Sequence, residues 1–179
     1  MRSMPAVLPE PALRVTGPLY RALNPLWARD PLSGQGAALH GGRFNRRGQP
    51  ALYTALSIMG AVAEANQIGR PFEPVTLVSY DADLGPVFDA TDPEALAIWG
   101  IAPDELAAGD WRLQMQRHGL SAAQRIAAEL DSAGFVGMRV PSFARGAAAD
   151  ARNLVLWHWH GLRGCQGLRV TDTEGRLAP

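Results

Sequence analysis

The sequence predicts an α+β domain, and three observations carry that reading. Strand-like and helix-like segments are mixed without the regular beta-alpha-beta rhythm of a doubly wound sheet. The 179 residues fit one domain, in which a chain of this size buries about 70% of its unfolded surface. Hydrophobic residues make up 47% of the chain against 19% charged, yet no apolar run approaches the roughly 20 residues that span a bilayer.

The elements follow in order. Tyr20 to Leu23 reads as a short strand ended by Asn24 and Pro25. From Pro31 to Gln49 the glycines Gly34, Gly36, Gly41, Gly42 and Gly48 mark a long loop or series of turns, and long loops in compact domains are usually functional or disordered. Ala51 to Thr54 is a brief strand. Ser57 can then cap a helix running to Ile68 and stopped by Gly69 and Pro71. Its spacing puts Ser57, Gly60, Ala61, Glu64 and Gln67 on one side, with Leu56, Met59, Val62 and Ala63 on more buried sides. The small residues would leave room for a ligand beside Glu64.

Val75 to Tyr80 and Val87 to Ala90 are expected as two separate strands. Pro93 to Gly100 and Pro103 to Ala108 open with proline, as short helices do. A stronger helix runs from Ala122 to Ser132 and ends at Gly134. Phe135 to Val140 and Leu154 to Trp159 are strands joined through a loop at Gly146 to Arg152, and Leu168 to Thr171 could add an edge strand. Strand alternation would put His158 and His160 on one side and Trp157 and Trp159 on the other.

Composition excludes several chemistries. All 17 basic residues are arginine, so neither a Walker A loop nor a lysine Schiff base can be built. Net charge is zero, which gives no global field toward nucleic acid or anionic membrane. The single Cys165 lies in a Gly-rich turn with no evident base and is expected to be inert in a reducing compartment. His158 and His160 lack the further ligands a zinc site needs, so no metal is expected. Met1 to Gly17 lacks the basic start, apolar middle and cleavage site of a signal peptide, and a cytoplasmic location is expected.

What remains is a cation, an aromatic face and a carboxylate. Gly41-Gly42 can turn the backbone so that Arg43 points inward, and an arginine fork suits phosphate. Tyr53 at a strand end is either a core aromatic or a stacking surface for a planar heterocycle. Glu64 is either a solvated helix residue or the carboxylate that acts on a bound ligand, and its small-residue face near the arginine loop favours the second. Ser142 and Asn153 could each be a turn or loop brace, or a hydrogen-bonding partner.

Together Tyr20-Arg21, Gly41-Gly42-Arg43-Phe44-Asn45, Tyr53 ten residues after Arg43, Glu64 eleven after Tyr53, and Pro141-Ser142 resemble the RES domain, a family named for Arg, Glu and Ser. The resemblance covers about residues 18–170, leaving 1–17 as an N-terminal extension and 171–179 as a tail. It implies an ADP-ribosyltransferase-like split sheet flanked by helices and a toxin of a bacterial toxin-antitoxin module that consumes NAD as co-substrate. By the same resemblance Arg43 engages the pyrophosphate or ribose side, Tyr53 packs on nicotinamide, Glu64 holds the ribose hydroxyls, and Ser142, Arg21 and Asn45 complete the NAD-binding set. The implied partners are an Xre-like helix-turn-helix antitoxin that blocks NAD access and a protein target of ADP-ribosylation, with no direct contact to nucleic acid or membrane. A different class of reading is a nucleotide sensor on the same fold that binds NAD without turnover. A ribonuclease is disfavoured by the zero net charge.

Overall fold

Two long strands organise the chain. The computed structural model describes residues 9–66, 73–162 and 164–177. Strand β1 (Leu13–Leu23) pairs antiparallel with β3 (Thr76–Asp89) from Leu13↔Val87 to Leu23↔Thr76. The other arm is formed by β2 (Leu52–Ala55), β5 (Arg152–Leu156) and β4 (Gly137–Pro141). The arms join where β4 runs parallel to β3 and where β1 meets β2 at Tyr20↔Ala55. Strand β6 (Gly167–Val170) borders the middle of β3, from Tyr80 to Asp83. The fold is α+β, and the sheet is split into two arms.

Between the arms lies one apolar core containing Leu19, Leu52, Tyr80, Leu84, Leu154 and Leu156. Outside the β4–β5 arm a second core forms around Phe44, Phe88, Leu130, Phe135, Met138 and Val155. It is covered by α3 (Pro93–Trp99), α4 (Pro103–Ala107) and α6 (Ala122–Ala133). Helix α6 is bounded as its sequence predicts. Ser121 and Gln124 cap it reciprocally, and Gly134 closes it in the left-handed conformation at φ 104°. Two shorter helices, α1 (Gln35–His40) and α5 (Trp111–His118), complete this side, with α2 (Ile58–Ala65) against β1. Among the described residues no helix is long and apolar enough to cross a membrane.

Several elements differ from expectation. β1 begins at Leu13 and not Tyr20, so residues expected in an extension pair with β3. The two strands expected at Val75–Tyr80 and Val87–Ala90 are one, because pairing with β1 continues past Gly85-Pro86. Helix α5 is absent from the sequence-based expectation. The predicted end of α2 at Ile68 and Gly69 falls outside the described residues. At the end of β5 the amides of Trp157 and His158 both donate to the Val136 carbonyl at 3.0 Å. Two residues thus oppose one, as in a bulge, and the alternation beyond it shifts. Trp157 enters the outer core and Trp159 the inner one, so the two indoles do not share a face.

Asp89 and Arg139 sit opposite each other in the β3–β4 register. Arg139 Nε donates to Asp89 Oδ1 at 3.0 Å, its Nη2 reaches Oδ2, and the Thr91 hydroxyl adds a 2.7 Å bond. Burial alone would raise the Asp89 pKa, but the bonds from Arg139 and Thr91 overcome it and hold the carboxyl below its ordinary value. A depressed folded pKa stabilises above the unfolded value, near 4 for Asp, and that stability is lost as pH falls through the folded one. The melting temperature should therefore drop as pH falls below about 4. Asp89→Asn should lower it at pH 7, by about 2–4 °C per kcal/mol lost, and flatten this part of the acid dependence. Thermal melts from pH 7 to 3 would show it.

Candidate active site

The glycine loop is fixed mainly at its peptide groups. Helix α1 ends at Gly41, whose φ of 71° suits glycine, and the Gly42 amide donates to the Asn45 carbonyl at 2.9 Å. Gln124 of α6 donates to the carbonyls of Gly42 at 2.8 Å and Asn45 at 3.0 Å. Trp157 Nε1 donates to the Phe44 carbonyl at 2.8 Å. Tyr53, reaching in from β2, accepts from the Phe44 amide at 3.0 Å and donates to Asn45 Oδ1 at 2.7 Å. Burial pushes the Tyr53 phenol well above its ordinary pKa, against the opposing pull of the Phe44 amide and Arg43. It therefore stays protonated and keeps donating.

Asn45 was expected to contact the ligand. It is 1% exposed, and its amide nitrogen bonds the carbonyls of Ala37, Arg46 and Gln49 while its oxygen takes the Tyr53 hydroxyl. Its part is to shape the loop. Arg21 braces a different segment: its Nη1 donates to the Pro31 carbonyl at 3.0 Å, shared with the Tyr80 hydroxyl at 2.7 Å.

Arg43 lies between glycine and the buried anchor Phe44. Its Nη1 donates to the carbonyls of Leu106 at 3.2 Å and Ala108 at 2.7 Å, at the end of α4, where a helix leaves acceptors unpaired. The guanidinium carbon is 4.6 Å from the Phe143 ring centroid and 5.9 Å from that of Trp111, within cation–π range. Burial, then the like charge of Arg112, lowers the Arg43 pKa, while Glu64 and Tyr53 act in the opposite direction. With Tyr53 protonated, the Glu64 carboxylate is the charge that opposes burial at Arg43.

Glu64 projects from α2, which is capped by Ser57 Oγ accepting from the Gly60 amide at 3.0 Å. Its Oε1 accepts from Ser142 Oγ at 2.7 Å and Asn153 Nδ2 at 2.6 Å. Ser142 follows β4, and Asn153 of β5 pairs with Val140 on one side and Ala55 on the other. The carboxylate is therefore held from the strand junction itself. Phe143, next to Ser142, carries the stack on Arg43, so one short segment touches both charged groups.

The predicted burial of α2 differs from the fold: Gly60 and Ala61 are buried, and a Cβ on Gly60 would stand 3.3 Å from Ala55 Cβ, whereas Met59, expected on a more buried side, is 74% exposed, and Val62 and Ala63 are half-buried like Glu64. The small residues let the helix approach the sheet and are not the floor of a ligand space. Asn153 gains most in importance. Its Oδ1 is buried without a hydrogen-bond partner, and its value as a clamp on Glu64 depends on a pairing 89 residues apart.

His158 Nε2 bonds Asp131 Oδ1 at 2.6 Å, and the His160 ring lies tilted beside Trp159. Among the described residues no cluster of three or more His, Cys, Asp or Glu could hold a metal.

A family model described as the RES domain matches residues 18–174. Among solved structures, the chain is similar to one in the crystal structure of the M. tuberculosis MbcT-MbcA toxin-antitoxin complex, with 24% identity over 90% of this chain and 84% of that chain and a TM-score of 0.65. That likeness is one of fold. No curated protein matches the chain.

Proposed function

Because the chain belongs to the RES domain family, we propose that it is the toxin of a toxin-antitoxin module and that it cleaves NAD at the bond between nicotinamide and ribose. The observation that carries this reading is the Glu64 carboxylate, clamped by Ser142 and Asn153 within electrostatic reach of Arg43. Loss of nicotinamide develops positive charge on the ribose, as in glycoside cleavage. A carboxylate fixed beforehand stabilises that charge without reorganising, which is where preorganised electrostatics act most strongly. Arg43 supplies the opposite function: its guanidinium grips the pyrophosphate and limits the orientations lost on reaching the transition state.

Ser142 takes a positioning role, since its hydroxyl donates to Glu64 while accepting from the Ala144 amide at 3.2 Å. Tyr53 braces the Arg43 loop through its hydroxyl. The ADP-ribose released by cleavage passes to water, phosphate or a protein side chain. An Xre-like antitoxin, by analogy with the toxin-antitoxin complex of similar fold, would inhibit by covering this space in the cytoplasm.

Purified protein mixed with NAD, phosphate and cell extract should release nicotinamide, and mass spectrometry should find ADP-ribose free, phosphorylated or attached to a protein. NAD binding in calorimetry without any nicotinamide release would make the chain a sensor and overturn the proposal.

A further inference from the structure

Beside the Arg43 loop, on the side of α5 and α6, lies a half-open pocket of about 730 Å³ lined by Arg46, Arg47, Met115, His118, Arg125 and their neighbours. Its volume falls in the range of small-molecule sites, about 300–1,000 Å³. No acidic residue lines it. Among the described residues no ion pair joins Arg46, Arg47, His118 or Arg125 to a carboxylate. The charges gathered here are unneutralised, although the chain carries 17 basic and 17 acidic residues.

Two of the guanidiniums are held by backbone. Arg47 Nε donates to the His40 carbonyl at 3.4 Å and Arg125 Nη1 to the Leu120 carbonyl at 3.2 Å. Three guanidiniums lining one pocket repel one another, an anion among them relieves that repulsion, and guanidiniums match phosphate oxygens in pairs. We propose that this pocket is a second anion site, which takes a phosphate-bearing small molecule of nucleotide size.

The site is connected to the catalytic loop. Arg46 and Arg47 directly follow Asn45, and Arg125 follows Gln124, whose amide holds the carbonyls of Gly42 and Asn45 and contacts Met115 Sδ at 3.2 Å. A ligand bridging Arg46 and Arg125 therefore bridges the two ends of the clamp that sets Arg43. The proposal rests on the pocket alone and stands whether or not NAD is the substrate.

Calorimetry at low salt with inorganic phosphate, pyrophosphate and ADP tests it. Pyrophosphate and ADP should bind. Arg46→Ala/Arg125→Ala, which alters two exposed side chains, should weaken both by at least about tenfold, the loss expected for one charge-assisted hydrogen bond. Arg169→Ala, which removes an exposed arginine on β6 outside the pocket, should leave pyrophosphate binding within about twofold, less than half a kcal/mol. Binding of ADP but not of pyrophosphate would identify a nucleotide as the source of the phosphate, and equal binding of both would identify free phosphates; either supports the site. Absence of heat from all three anions, or binding untouched by the double variant, would overturn it.

Discussion

Glu64→Gln should reduce nicotinamide release from NAD by about 10²–10³-fold, the usual cost of removing one preorganised electrostatic stabiliser, while the melting temperature stays close to that of the parent chain. The reason lies in which oxygen is bonded. Oε1 accepts from Ser142 and Asn153, and the amide oxygen of glutamine can accept both bonds in the same place. The clamp survives and only the charge disappears. A neutral amide lacks the charge that stabilises a cationic ribose, and Arg43 loses a carboxylate that acts against the effect of its burial. Glu64→Ala would be a poorer test, because it leaves two donors unpaired and mixes folding with chemistry. Cells expressing Glu64→Gln should grow where cells expressing the parent chain do not. NAD turnover at the parent rate by a well-folded Glu64→Gln protein would refute the site.

How far the sequence reaches can be judged from particular residues. The spacing of Arg43, Tyr53 and Glu64 pointed to one pocket; the fold ties Tyr53 to the Arg43 loop through the Phe44 amide and Asn45, and holds Glu64 from Ser142 and Asn153. Local signals of this kind survive because a glycine turn, a strand end and a capped helix are each specified within a few residues. The clamp on Glu64 was harder to see, since Asn153 and Ser142 reach it only through the β2–β5–β4 register. Helix α5 has too few regularly spaced apolar residues to announce itself; Trp111 is buried while Leu113 is 42% exposed. The orientation of α2 was misread for a related reason. Hydrophobicity ranked Leu56 and Met59 among the more buried positions, but close approach to the sheet selects Gly60 and Ala61, and packing against neighbours decides burial. The bulge at Trp157 and His158 likewise depends on a carbonyl of Val136, from another part of the chain.

Adding one methyl group in the glycine loop should be nearly as damaging as removing the charge. A Cβ at Gly42 would stand 2.2 Å from Tyr53 Oη, 2.8 Å from its Cζ and 2.5 Å from Asn45 Oδ1. Those atoms form the 2.7 Å bond that braces the loop, so Gly42→Ala displaces the phenol and breaks the brace. Overpacking of this kind costs about 1–3 kcal/mol. The Phe44 amide also loses its acceptor, which adds roughly 1–3 kcal/mol where it stays buried. Activity should fall with the loop, because Arg43 is carried between the two disturbed residues. A double-mutant cycle separates this account from a general loss of packing. Tyr53→Phe removes the hydroxyl and the same two hydrogen bonds while keeping the ring. If Gly42→Ala acts by expelling that hydroxyl, the double variant should be less destabilised than the sum of the singles, with a coupling of about 0.5–3 kcal/mol. Denaturant unfolding of the four proteins measures it, and strict additivity would mean that the methyl group is accommodated elsewhere and that Tyr53 does not hold the loop through its oxygen.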